Sequence, residues 1–257
     1  DNLGAIGGPL LAIGLVSTVG TRNAIWLSVI PGLLAVVAIL YAIRHTPTPT
    51  ARGRRPIKIQ VRPVLHGPLR QLFVGIGAFE AGNVAATLLI LRATELLHSD
   101  HSDTRATTIA LALYAAYNGA ATIVSVPAGR LVDRIGGRAV LIAGVAAFAI
   151  AYVGFAFDAP HWWLLAVWFV LAGLGIGCAE TAEHATVATH APEHIRGSAF
   201  GLLAAVQSFG NLAASGIAGI LWAAISPTAA FIYIAVWVNL ALIALATARS
   251  PRAEHAS

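Results

Sequence analysis

Apolar runs of about twenty residues recur from one end of this 257-residue chain to the other. Each is long enough to cross ~30 Å of hydrocarbon. Lipid offers the backbone no hydrogen bonds, so such runs are either helices or strands of a closed barrel. Barrel strands are about 10 residues long and alternate in polarity. The run from Ala139 to Phe157 does not alternate, which selects helices. Composition agrees: 58% of residues are hydrophobic and 11% charged, against about 25% charged in a soluble domain. The mean hydropathy is +0.78. The sequence predicts an all-α membrane protein of about eight transmembrane helices, at 3–20, 24–43, 69–91, 107–126, 139–157, 162–187, 198–223 and 228–246.

A basic, proline-bearing stretch divides the chain. It reads as a linker at 44–68, separating a two-helix unit at 1–43 from a six-helix unit at 69–257. Lys and Arg concentrate on the cytoplasmic side of membrane proteins. Placing Arg44, Arg52, Arg54, Arg55, Lys58, Arg62, Arg70, Arg130, Arg134, Arg138, Arg196, Arg249 and Arg252 on one side leaves only Arg22, Arg92 and Arg105 elsewhere. That side is expected to be cytoplasmic, together with both ends of the chain. Trp26, Trp162, Trp163 and Trp222 then fall at the outer interface, where tryptophan is enriched. The net charge of +5 is thus a topology signal, since the charges flank spans and line no single face as a nucleic-acid site would. The lone Cys178 excludes an intrachain disulfide and reads as a small buried hydrophobe.

The most specific motif runs from Gly129 to Arg138, Gly-Arg-Leu-Val-Asp-Arg-Ile-Gly-Gly-Arg. It resembles the G-x-L-x-D-R-x-G-R-R loop of the major facilitator superfamily. Gly129, Asp133, Arg134, Gly136 and Arg138 match, and Gly137 stands where a basic residue is usual. The resemblance implies a conformational latch: a tight charged loop in which Asp133 faces a helix N-terminus and an arginine. Gly4, Gly8 and Pro9 resemble the fifth-helix motif of the antiporter branches; Gly4, Gly8 and Ala12 give a small-residue packing face, and Pro9 is expected to bend the span. Asn2-Leu3-x-Ala5-x-Gly7 recurs as Asn211-Leu212-x-Ala214-x-Gly216, as expected of parallel repeats. In that register the spans correspond to the family's helices five to twelve. The run beginning at Leu3 reads as the middle of something, and four further helices are expected to precede it.

Polar groups within spans are costly and mark function. Glu80 lies near the middle of the third span, with Asn83 and Thr87 at helical spacing on its face. A protonatable carboxylate at that depth suits proton coupling; the alternative is a hydrogen-bonded structural role. Glu180, Glu183 and His184 share one face of the sixth span toward its cytoplasmic end, where interfacial anchoring competes with coupling. Tyr114, Tyr117, Asn118 and Ser125 form one polar stripe, and Gln207, Ser208, Asn211 and Ser215 another; each stripe lines a cavity or joins helices. Arg92 and Glu95 are placed to pair or snorkel near the outer interface. His190 and His194 near Glu180, and the His98, Asp100, His101, Asp103 group, are read as solvated or interfacial rather than as metal sites.

The resemblance implies a secondary transporter moving a small solute by alternating access. Protons are the expected coupling ion, efflux is one of the directions left open, and the working unit is expected to be a monomer in a bacterial cytoplasmic membrane. The sequence holds no G-x-x-x-x-G-K-[ST] stretch, and no cofactor is called for. A membrane-embedded enzyme and a non-transporting membrane fragment are the alternatives.

Overall fold

A computed structural model describes residues 8, 11, 14–15, 18–45, 68–99, 101–157 and 161–247. The described chain is helical. Its elements are α1 (Thr21–Leu27), α2 (Val29–His45), α3 (Pro68–Glu80), α4 (Thr87–Leu97), α5 (Asp103–Ile135), α6 (Gly137–Ala156), α7 (Trp162–His190), a 3₁₀ turn (Glu193–Ile195), α8 (Arg196–Ala224) and α9 (Pro227–Thr247). Five of these, α5 to α9, are each long and apolar enough to cross a membrane, as is the stretch Arg22–Ala42 that joins α1 and α2. Most of the linker, together with Gly4 and Pro9, lies outside the described residues; Gly8 is helical and exposed.

Helix α7 is the centre of the bundle. Its glycines alternate sides: Gly173 and Gly177 face α5, and Gly175 faces α6. A Cβ at Gly173 would collide with the Tyr117 carbonyl, and one at Gly177 would come within 2.6 Å of the Ala121 carbonyl. A Cβ at Gly175 would approach the Phe148 nitrogen to 2.7 Å, and across the same seam one at Gly144 of α6 would approach the Ala179 nitrogen to 2.8 Å. Backbones therefore meet directly, as small residues permit between membrane helices. Lipid tails are as apolar as leucine, so dispersion across such close seams contributes much of the association.

Aromatic rings fill the space next to these seams. Phe148 stacks on Tyr152 at 4.2 Å, and Phe155 meets Phe169 edge-on at 5.1 Å. Phe79 of α3 contacts Phe148 edge-on at 5.3 Å, and Phe155 stacks with Phe231 of α9 at 6.2 Å. These rings are buried and join α3, α6, α7 and α9. In contrast, Ala24 is the one buried side chain described in α1 and α2, whose Leu33, Leu34 and Val37 are exposed.

Two sequence expectations need correction. The third span is not one helix. It breaks at 81–86 into α3 and α4 and extends to Leu97. Gly82 lies so close to α9 that a Cβ there would be 3.0 Å from Trp237 Cβ and 3.0 Å from Val238 Cγ2. The second correction concerns Gly129 to Arg138, which is not a loop. Helix α5 runs 33 residues, through Pro127 and on to Ile135. At ~1.5 Å per residue it is roughly 50 Å long, so its basic end continues past the hydrocarbon. Only Gly136, at φ 88°, leaves the helix, and Gly137 starts α6. A left-handed residue costs glycine little, which allows so short a joint.

Candidate functional site

The break in the third span is built from its neighbours' side chains. Unwinding frees backbone groups that lipid cannot satisfy. The Ala81 carbonyl accepts from the Tyr233 hydroxyl of α9 at 2.8 Å. The Asn83 carbonyl accepts from Asn211 Nδ2 of α8 at 2.8 Å. The Ala85 N–H donates to Ser215 Oγ, also of α8, at 2.8 Å. Within the segment, the Gly82 and Asn83 N–H groups bond back to the Phe79 and Glu80 carbonyls.

Glu80 is the last residue of α3 and is 2% exposed. Its Oε2 accepts from Asn83 Nδ2 at 3.0 Å. Helix α8 passes directly over it at Gly210, where a Cβ would come within 2.6 Å of Glu80 Cβ. Glu183 of α7 is fully buried. Its Oε2 accepts from Gln207 Nε2 at 2.8 Å, while its buried Oε1 has no hydrogen-bond partner among the described residues. Glu180 lies on the exposed side of the same group, and all three carboxylates are within electrostatic range of one another. Tyr117 of α5 lies within range of Glu80 and Glu180, and its ring stacks with Tyr114 at 5.8 Å.

Gln207, Asn211 and Ser215 therefore act as a stripe at i, i+4 and i+8 along α8. The first holds Glu183, and the other two hold the broken segment. Ser208 is off that stripe and exposed. On α5 the polar side chains bond within their own helix. Asn118 donates to the Tyr114 carbonyl and Ser125 to the Ala121 carbonyl. Thr87 does not share a face with Glu80, because the chain unwinds between them; it starts α4 and is exposed.

The expected anchoring of Glu183 at the interface is corrected, since Glu183 points into the bundle. His184, one residue on, is exposed and donates Nδ1–H to the Glu180 carbonyl at 2.8 Å. His190 makes the equivalent bond to Thr186. Among the described residues no three His, Cys, Asp or Glu side chains gather as metal ligands. His98 pairs with Asp103 at 3.0 Å at the far end of the bundle; Asp100 is outside the described residues.

Glu95 accepts from Trp222 Nε1 at 3.2 Å. The buried Arg92 donates Nε to the Phe155 carbonyl at 3.2 Å and sits 6.0 Å from the Phe231 ring centroid. At the basic end, Asp133 and Arg134 are exposed and hold no ion pair among the described residues. Arg138 reaches across to α9, donating Nε to the Leu245 carbonyl at 2.7 Å and Nη2 to the Ala246 carbonyl at 2.8 Å. A cation on the last carbonyls of a helix satisfies orphan acceptors and complements the helix dipole. Gly129 sits in ordinary contact with Thr181, at 3.9 Å for a Cβ.

Sequence reasoning missed Tyr233, Gly210 and the role of Gly82. The dipeptide Gly82-Asn83 inside an apolar run was the available signal, since such pairs mark turns.

A discontinuous helix braced by polar side chains around buried carboxylates is an arrangement found at the binding sites of membrane transporters. Comparisons with known proteins point the same way. The family profile of the Major Facilitator Superfamily matches residues 78–257. A protein of Methanocaldococcus jannaschii, described as an uncharacterized MFS-type transporter, is 32% identical over 238 residues, 91% of this chain and 58% of the relative. A second protein so described, from Bacillus subtilis, is 32% identical over 98 residues, 38% of this chain and 24% of the relative. The chain thus spans just over half the length of the first relative. With the family profile matched from within α3 onward and a relative aligned along nearly the whole chain, this membrane protein belongs to the major facilitator superfamily.

Proposed function

We propose that this chain forms part of a secondary active transporter that moves a small solute by alternating access, with protons as the coupling ion and export as the direction. The observation that carries the proposal is the pair of buried carboxylates, Glu80 and Glu183, at the broken helix. An isolated ionised carboxylate in a dry interior is very costly, so such groups bind protons or cations, or pair. Glu80 is attached to a segment whose backbone is held by exchangeable side-chain bonds, so its protonation state is tied to the shape of that segment. The basic end of the bundle faces the cytoplasm of a bacterial cell by the positive-inside rule, with the chain ends on that side and a monomer as the working unit. In this reading Gly129, Asp133, Arg134, Gly136 and Arg138 form a latch between α5, α6 and α9. Arg138 is its strongest contact.

The test is proton flux. Proteoliposomes loaded with a pH indicator are challenged with a panel of neutral, anionic and cationic solutes under an imposed pH gradient. At least one solute is expected to drive proton movement in the wild type and none in Glu80→Gln. Transport by Glu80→Gln with unchanged pH dependence sinks the coupling role.

A further inference from the structure

We infer that two copies of this chain pair in the membrane along the outward face of α9, joined by a hydrogen bond between their Asn239 side chains. The inference goes beyond the transport reading and does not rest on it. Each copy keeps its own route, and the working unit stays one chain.

Helix α9 carries two faces. Phe231, Ile234, Val238, Ala241 and Leu245 are buried against the bundle. On the opposite side Ile232, Val236, Asn239 and Ile243 are exposed. Those four are spaced by four, three and four residues, the 3.5-residue repeat of a helix that winds around another helix. Membrane helices pack with the same left-handed crossing. Lipid sets no phase on the residues it touches, so the repeat points to a helical partner.

Asn239 supplies the second observation. It lies ~18 Å along α9 at ~1.5 Å per residue, near the middle of a ~30 Å hydrocarbon core. Its Nδ2 donates to the Ala235 carbonyl of its own helix at 2.8 Å. An amide carries two N–H donors and an accepting carbonyl, so one internal bond leaves capacity that acyl chains cannot meet. Asparagine at such depth joins helices. A second copy is the occupant that fits. All copies insert the same way round, so a two-fold axis along the membrane normal brings the same residue of each to the same depth. An amide is donor and acceptor at once, and so complements itself. Beside the seam a groove of about 430 Å³ opens between α9 and α6, with Ala146, Ala149, Ile150 and Gly154 on one side and Asn239 and Leu242 on the other. The small residues of α6 leave room there for side chains of the second copy.

The test is association in liposomes. Copies bearing a donor or an acceptor fluorophore at one chain end are mixed over a range of protein-to-lipid ratios. Energy transfer is expected to rise with that ratio and to fall when unlabelled copies are added. Asn239→Leu, at an exposed position where it unpacks nothing, is expected to weaken association roughly 3- to 20-fold, the range that polar contacts between membrane helices span. Cross-linking gives the face without touching Asn239. In a Cys178→Ala background, Val236→Cys is expected to yield a disulfide-linked dimer on oxidation. Ile123→Cys, exposed on α5, is expected to yield none. No energy transfer at any ratio means that lipid covers the face, and overturns the inference. Association that is indifferent to Asn239→Leu, or cross-linking at Ile123→Cys equal to that at Val236→Cys, overturns it as well.

Discussion

Removing the side chains that hold residues 81–86 is expected to loosen the break and leave the rest of the bundle intact. In Asn211→Ala the Asn83 carbonyl loses its 2.8 Å donor, in Ser215→Ala the Ala85 N–H loses its 2.8 Å acceptor, and in Tyr233→Phe the Ala81 carbonyl loses its hydroxyl. A backbone group left unmade in an apolar setting costs about 1–3 kcal/mol. Polar contacts between membrane helices average about 0.6 and reach about 1.7 kcal/mol. The three residues and their partners are half-buried, which favours the middle of that range, about 1 kcal/mol each. The triple variant is then expected to lose about 2–4 kcal/mol, less than additive if the freed segment relaxes as a unit. Asn118→Ala is the control, because its amide bonds a carbonyl of its own helix; it is expected to cost under about 0.5 kcal/mol. Reversible unfolding in mixed micelles gives the energies. Hydrogen exchange at Ala85 gives the location, with roughly fivefold faster exchange expected in Ser215→Ala for about 1 kcal/mol. If the three substitutions cost no more than Asn118→Ala and exchange over 81–86 is unchanged, the segment is held by something else.

Two further outcomes follow from the seams and the cap. Gly173→Val would drive a side chain into the Tyr117 backbone and is expected to cost more than about 3 kcal/mol, whereas Gly216→Val, which meets nothing within 4 Å, is expected to change the thermal midpoint little. Arg138→Ala strips two charge-assisted bonds from the end of α9 and is expected to cost about 1–2 kcal/mol by the same unfolding assay, with the Leu245 and Ala246 region becoming protease-sensitive.

Much of the fold was legible because a bilayer imposes a simple length rule. The run from Ala139 to Phe157 became α6 within two residues at its start and one at its end, since apolar length alone fixes where a membrane helix sits. The same rule misled where it stops applying. It ended the fourth span at Val126, though α5 continues as a helix beyond the hydrocarbon, where polarity no longer opposes helix formation. It also drew the third span as continuous, because Ala81 to Ala86 is apolar enough to cross; the break comes from Gly82 packed against α9 and from side chains more than 120 positions away. The site was half legible. Glu80 and Asn83 were visible as polar residues in an apolar run. That Glu183 turns inward while its neighbours Glu180 and His184 stay exposed depends on Gln207 in another helix, which no local pattern encodes.

The two kinds of joint in this bundle differ in what they allow. Between α7 and its partners α5 and α6, main chain lies on main chain at the glycines, so a slide of even part of a turn would bring a side chain against a carbonyl. Those three helices are keyed together at their glycines. The joint made by α8 against the broken segment is a ladder of single polar rungs, each of which can be released and remade with another partner at small net cost. Among the described helices that ladder is therefore the joint best able to change partners, with Glu183 on one rung and the Glu80-bearing segment on the others.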